Sequence, residues 1–136
     1  VRAAASARDA IEGADVVITA VSFGPVRQTV PPDWIGPGAL VVPVDYATSI
    51  SAAVAREAAL FVVDERGQLV ANRDAGLFDG YPDPATTLGE VLRDGTPRPP
   101  GRVVVTHLGV GIADLIFADA ILRGAAAADL GTVLAR

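Results

Sequence analysis

The chain has 136 residues, of which 51% are hydrophobic, which suffices for one domain with a core and argues against intrinsic disorder. The formal net charge is -5 and all 11 basic residues are arginines scattered singly, so we expect neither nucleic acid nor a membrane as a partner. With no cysteine and one histidine, the sequence excludes disulfides and iron–sulfur clusters, argues against a histidine-rich metal site and predicts a cytoplasmic location.

Four apolar runs rich in β-branched residues predict buried strands, and helical segments alternate with them. The predicted strands cover residues 15–21, 40–42, 60–64 and 102–106. A first short helix is predicted after a cap at Ser6. Further helices are predicted at residues 52–59, 66–75, 87–93 and 109–127, ahead of a C-terminal tail at 129–136. This alternation predicts a single α/β domain over residues 1–136 with a doubly wound parallel sheet, and right-handed crossovers favour strands that lie side by side in chain order.

The second predicted strand leads directly to a carboxylate, because Pro43, Val44 and Asp45 follow residues 40–42. In an open parallel sheet, ligands bind in the crevice at the carboxyl ends of the strands. Asp45 is therefore a candidate site residue. Two plainer roles stay open for it, which are capping the next helix and starting a turn.

Two other predicted strands also end in polar residues. Thr19 and Ser22 lie at the end of the first strand, and His107 follows the last one. Parallel strands would bring these groups and Asp45 to one rim, and that convergence indicates a site more strongly than any single member. For His107 alone, a hydrogen-bonded histidine at the rim is favoured over general acid–base catalysis.

The glycine pair at the start of the last helix is similar to a dinucleotide fingerprint. Gly109 and Gly111 follow a strand, but Asp114 stands where the fingerprint has glycine or alanine, and no further strand completes the unit. A tight turn is the favoured interpretation. A weaker alternative is that backbone N–H groups of this turn face a ligand.

Several segments, in order along the chain, resemble the ornithine cyclodeaminase/mu-crystallin family. The resemblance is carried by residues 15–22 (DVVITAVS), 38–45 (GALVVPVD), 88–92 (LGEVL), 105–109 (VTHLG) and 112–115 (IADL). It runs over nearly the whole chain with plausible spacing. A series of segments carries it, and no single motif does.

The resemblance implies part of a Rossmann domain that binds NAD or NADP, next to a separate domain for substrate and dimer contacts. It implies that Asp45 is the catalytic acid–base and that a small-molecule amino acid or cyclic imine is the partner, in a homodimer of the full-length protein. The residues that would contact the cofactor are Thr19, Ala20, Val21, Ser22, Val44, His107 and Gly109.

Two departures from the family pattern shape the hypothesis. Tyr46 and the residues up to Ser49 replace the Pro-Gly-Lys-like segment, and residues 67–82 resemble a divergent branch of the family. The first strands and the Gly-rich pyrophosphate turn are missing, so we expect a partial Rossmann-like domain from a longer gene product, inactive alone.

The resulting prediction is an NAD(P)-dependent cyclodeaminase, dehydrogenase or imine reductase that transfers hydride at an amino-acid α-carbon. One alternative is a non-catalytic NAD(P)- or small-ligand-binding protein of the mu-crystallin type. A weaker one is an unrelated doubly wound domain.

Overall fold

Helices and strands alternate along the chain, as the apolar pattern predicts, in a computed structural model that describes residues 2–22, 24–132 and 134. The strands are β1 (Val16–Thr19), β2 (Leu40–Pro43), β3 (Leu60–Val63), β4 (Thr86–Thr87) and β5 (Val103–Thr106). The helices are α1 (Ala7–Ile11), α2 (Ala52–Arg56), α3 (Arg66–Asp74), α4 (Leu88–Asp94) and α5 (Gly111–Ala127), with a short 3-10 helix at Pro32–Trp34. All four predicted strands are confirmed, and the two-residue β4 is an addition.

The strands form one parallel sheet in the order β1-β2-β5-β3-β4. The predicted α/β fold is confirmed, but the predicted side-by-side order is wrong, because β5 lies between β2 and β3. The physical reason is burial. Three of the four residues of Val103–Thr106 are buried, which suits a central strand, whereas the half-buried threonines of β4 suit an edge. Crossover handedness alone does not fix strand order.

The hydrophobic core lies on one face of the sheet, under three helices. It joins Val17, Val41 and Val104 of the strands to Ile11 of α1, Val54 of α2 and Leu69 of α3. On the opposite face, Leu88 and Val91 of α4 line a cavity of about 190 Å³ with residues of β2, β3 and β5. Helices therefore lie against both faces, as a doubly wound sheet requires.

The loop before β4 is anchored by two buried aromatic residues. Phe78 is 0% exposed and Tyr81 is 4% exposed, and their rings meet edge to face with centroids 5.1 Å apart. The Tyr81 hydroxyl donates a 2.6 Å hydrogen bond to the carbonyl of Ile50. Both residues therefore anchor this loop to the core.

Two apolar surfaces stay uncovered. On the edge strand β1, Val16 is 52% exposed and Ile18 is 66% exposed. Helix α5, which confirms the predicted longest helix, has no buried residue. No helix in the part of the chain that the structure describes combines the length and apolarity needed to cross a membrane.

Candidate functional site

The predicted rim of polar strand ends forms across three adjacent strands. Because β5 lies beside β2, the ends of β1, β2 and β5 are neighbours, and these are the strands that precede Ser22, Asp45 and His107. The His107 N–H donates a 3.0 Å hydrogen bond to the carbonyl of Pro43, which joins two of these ends directly. In the observed strand order, the strand that precedes His107 therefore lies directly beside the strand that precedes Asp45.

Asp45 is a buried carboxylate with several hydrogen-bond donors. It is 3% exposed. Its side chain accepts bonds from the Thr19 hydroxyl at 2.9 Å, the Ser49 hydroxyl at 2.7 Å and the Val21 N–H at 3.3 Å. The helix-capping alternative is wrong, since Ser51 occupies the N-cap of α2. The Asp45 carbonyl accepts from the Thr48 N–H at 3.1 Å, so Asp45 also starts a turn.

A groove of about 500 Å³ runs along the end of β1. Four predicted cofactor contacts, Thr19, Ala20, Val21 and Ser22, line it together with residues of α1 and with Thr48 and Ser49. Its volume falls in the range of small-molecule sites. Val44, the predicted contact from β2, is 40% exposed and its N–H donates to the Thr19 carbonyl at 2.9 Å.

A second carboxylate, Asp64, follows β3 and is not among the residues that the sequence predicted for the site. One of its oxygens, Oδ2, lies 2.9 Å from His107 Nδ1 and accepts from the N–H groups of Leu108 at 2.9 Å and Gly109 at 2.8 Å. Asp64 repeats the pattern that drew attention to Asp45, an acidic residue after an apolar strand. An acidic residue directly after an apolar strand is therefore the sequence signal that identifies Asp64 as a candidate.

The loop at residues 107–109 is fixed from three sides. Besides Asp64, the Tyr46 hydroxyl and Gln68 Nε2 donate to the Leu108 carbonyl at 2.9 Å and 3.2 Å. Gly109 has φ +85°, which a glycine adopts without strain. The alternative that N–H groups of the turn face a ligand is wrong for Gly109, because its N–H donates to Asp64. Cofactor contact at Gly109 stays a prediction.

Tyr81 is a buried titratable group that senses the charge of Asp45. Burial, together with the negative charge of Asp45, raises the pKa of Tyr81 far above its ordinary value of 10.0. Its hydroxyl therefore stays protonated at neutral pH and keeps donating to Ile50. Tyr81 is a structural donor beneath the rim and does not carry protons there.

No protein-family model and no curated protein matches the sequence. Among solved structures, the chain is similar to the crystal structure of CmnK, with 26% identity, a TM-score of 0.77 and coverage of 97% of this chain and 42% of that one. It is also similar to Thermococcus litoralis Delta(1)-pyrroline-2-carboxylate reductase in complex with NADH and L-proline, with 21% identity, a TM-score of 0.69 and coverage of 95% and 43%.

The similarity to these two structures concerns the fold of the chain. At 21% identity, the likeness to the reductase concerns the fold alone. It agrees with the five-stranded parallel sheet and confirms the predicted partial Rossmann-like fold. The chain spans less than half the length of each of these two structures.

Proposed function

We propose that the chain is the NAD(P)-binding part of an oxidoreductase of the ornithine cyclodeaminase/mu-crystallin family. In this proposal the complete protein interconverts a cyclic imine and an amino acid by hydride transfer at the α-carbon. The observation that carries it is the rim, where Ser22, Asp45 and His107 follow three adjacent strand ends. The likeness to a reductase bound to NADH and L-proline supports the cofactor and the substrate class.

The groove along β1 is the proposed place for the nicotinamide end of the cofactor. Its volume of about 500 Å³ and its lining by Thr19 and Ser22 suit a ring and a sugar. When bound, NADH or NADPH would supply the hydride. Asp45 holds the groove wall in place, because it accepts from both Thr19 and the Val21 N–H. We assign the pyrophosphate contact to another part of the gene product.

Turnover by the complete gene product tests this function. The protein is incubated with NADH or NADPH and a panel of cyclic imines, and in reverse with oxidised cofactor and amino acids, while nicotinamide absorbance and ammonia are followed. We expect the cofactor to be oxidised with at least one cyclic imine. Ammonia release in the reverse assay would assign a cyclodeaminase. Cofactor binding without absorbance change for any pair would contradict the enzymatic proposal.

A second candidate is a non-catalytic NAD(P)- or ligand-binding protein. The observation that favours it is the burial of Asp45, whose carboxylate accepts from Thr19, Ser49 and Val21 N–H. The turnover assay separates the two candidates, and Asp45→Asn in the complete protein tests the role of Asp45. If Asp45 is the catalytic acid–base, turnover is lost while cofactor affinity changes little. If Asp45 only shapes the groove, the same change weakens cofactor binding.

A further inference from the structure

The Asp64 carboxylate and the His107 ring lie against each other at the rim. Asp64 Oδ2 lies 2.9 Å from His107 Nδ1, and the Asp64 side chain is 9% exposed. The same oxygen accepts from the N–H groups of Leu108 and Gly109, and Oδ1 accepts from the Glu65 N–H at 3.0 Å. With both oxygens occupied by donors, the carboxylate has a fixed orientation, and so does the loop that carries the histidine.

This contact favours one tautomer of the histidine. An ionised carboxylate only accepts hydrogen bonds, so the 2.9 Å approach of Asp64 Oδ2 favours a proton on His107 Nδ1 over a lone pair there. In the neutral ring, Nε2 then holds a lone pair, and in the protonated ring Nε2 holds a proton. The His107 side chain is 48% exposed, so the ring is accessible to a ligand at the rim.

We propose that Asp64 is a positioning residue that presents His107 as the group exchanging a proton with the substrate nitrogen. This inference rests on the proposed function. In the reducing direction, Nε2–H gives its proton to the lone pair of the imine nitrogen, forming an N–H bond. A bound reduced nicotinamide would supply the hydride for the C–H bond, and the C=N π pair stays on nitrogen as the amine lone pair. The neutral ring keeps Nδ1–H on Asp64 and regains a proton from water.

Geometry favours His107 over the other titratable groups that face this loop. Asp45, after β2, is 3% exposed and its carboxylate has three donors. The proton of the Tyr46 hydroxyl is already donated to the Leu108 carbonyl. Asp114 lies beyond the loop, on the first turn of α5. His107 combines an exposed ring with a buried acidic partner, which is the arrangement that orients a histidine base in catalytic triads.

The tautomer of His107 tests the pairing without any assay of activity. The chain contains one histidine, so long-range ¹H–¹⁵N NMR of labelled imidazole reports on this residue alone. We expect the neutral ring to carry its proton on Nδ1. In Asp64→Ala the proton should move to Nε2, and the wild-type spectrum tests the pairing by itself if this variant fails to fold. A wild-type ring that carries its proton on Nε2 would overturn the inference.

The proton-transfer role is tested in the complete gene product with a substituted histidine. His107→Asn keeps an N–H donor near the Nδ1 position for Asp64 and removes Nε2. We expect kcat to fall roughly 100-fold or more, with little change in KM or cofactor affinity. A kcat near the wild-type value would leave His107 as a loop anchor only. If the wild-type protein turns over no substrate, the proposed function fails, whereas the tautomer result stands by itself.

Discussion

Ser49 and Ser51 lie two residues apart in one segment, yet their hydroxyl groups differ in what they contact. The Ser49 hydroxyl donates a 2.7 Å hydrogen bond to the buried Asp45 carboxylate. The Ser51 hydroxyl is buried without a hydrogen-bond partner among the described residues. Hydrogen bonds to charged groups contribute more than neutral ones, whereas a hydroxyl that bonds to nothing contributes only its desolvation cost.

Alanine at each of these positions separates the two cases. We expect Ser49→Ala to lower the free energy of unfolding by about 1.5–3 kcal/mol, because Asp45 loses a donor in a buried site. Ser51→Ala should leave stability unchanged or raise it. Urea denaturation of both variants measures the difference. Equal losses in the two variants would show that the Ser49 hydroxyl does not stabilise Asp45.

At this scale, the sequence indicated some residues of the candidate site and missed others for a physical reason. Thr19, Asp45 and His107 could be predicted because a polar residue after an apolar strand is a local pattern. The role of Asp64 could not, since its partners are backbone N–H groups 44 and 45 residues further along the chain. No local pattern records such a contact.

At the scale of elements, helix α4 begins with a charged cap. The Thr87 hydroxyl accepts from the Glu90 N–H, and the Glu90 carboxylate accepts from the Thr87 N–H at 2.8 Å and the Thr86 hydroxyl at 2.8 Å. The pKa of Glu90 is lowered from 4.5 to about 2. The hydrogen bond from the Thr87 N–H is the largest cause, and the hydrogen bond from the Thr86 hydroxyl is the second largest. These contacts therefore stabilise the folded state when Glu90 is ionised.

The lowered pKa gives a stability effect with a defined sign. The stabilisation by ionised Glu90 is fully present above pH 4.5 and is lost as the pH falls towards about 2. Glu90→Gln keeps the side-chain oxygen and removes the charge. We expect the stability difference between wild type and Glu90→Gln to be largest at neutral pH and to shrink through this window, measured by thermal melts. Glu12→Gln is the control, and a pH-independent Glu90 difference would contradict the prediction.

The elements and their order differ in how far the sequence specifies them. The cap of α4 could be predicted because Thr87 and Glu90 have capping-box spacing and act over one turn. The central position of β5 could not, because it depends on how Val103–Thr106 is buried between β2 and β3. Local signals give the elements, whereas their packing sets the order.

At the scale of the whole molecule, exposed apolar residues concentrate on α5 and β1. Six apolar side chains of α5 are between 62% and 70% exposed: Ile112, Leu115, Ile116, Phe117, Ile121 and Leu122. On β1, Val16 and Ile18 add to this surface at the edge of the sheet. Large exposed apolar patches and open sheet edges favour association, so we expect the chain expressed alone to self-associate. The homodimer of the full-length protein stays a prediction.

Polar substitution on α5 tests the origin of this association. Because Leu115, Phe117 and Leu122 are all exposed, their joint replacement by glutamine should leave the melting temperature of the chain unchanged. It should lower the binding of an apolar fluorescent dye and the average mass measured by light scattering. Val104→Ala is the matched control, since Val104 is 0% exposed and its truncation should lower the melting temperature without reducing dye binding. A lower melting temperature in the α5 variant would instead show that the helix packs on the domain.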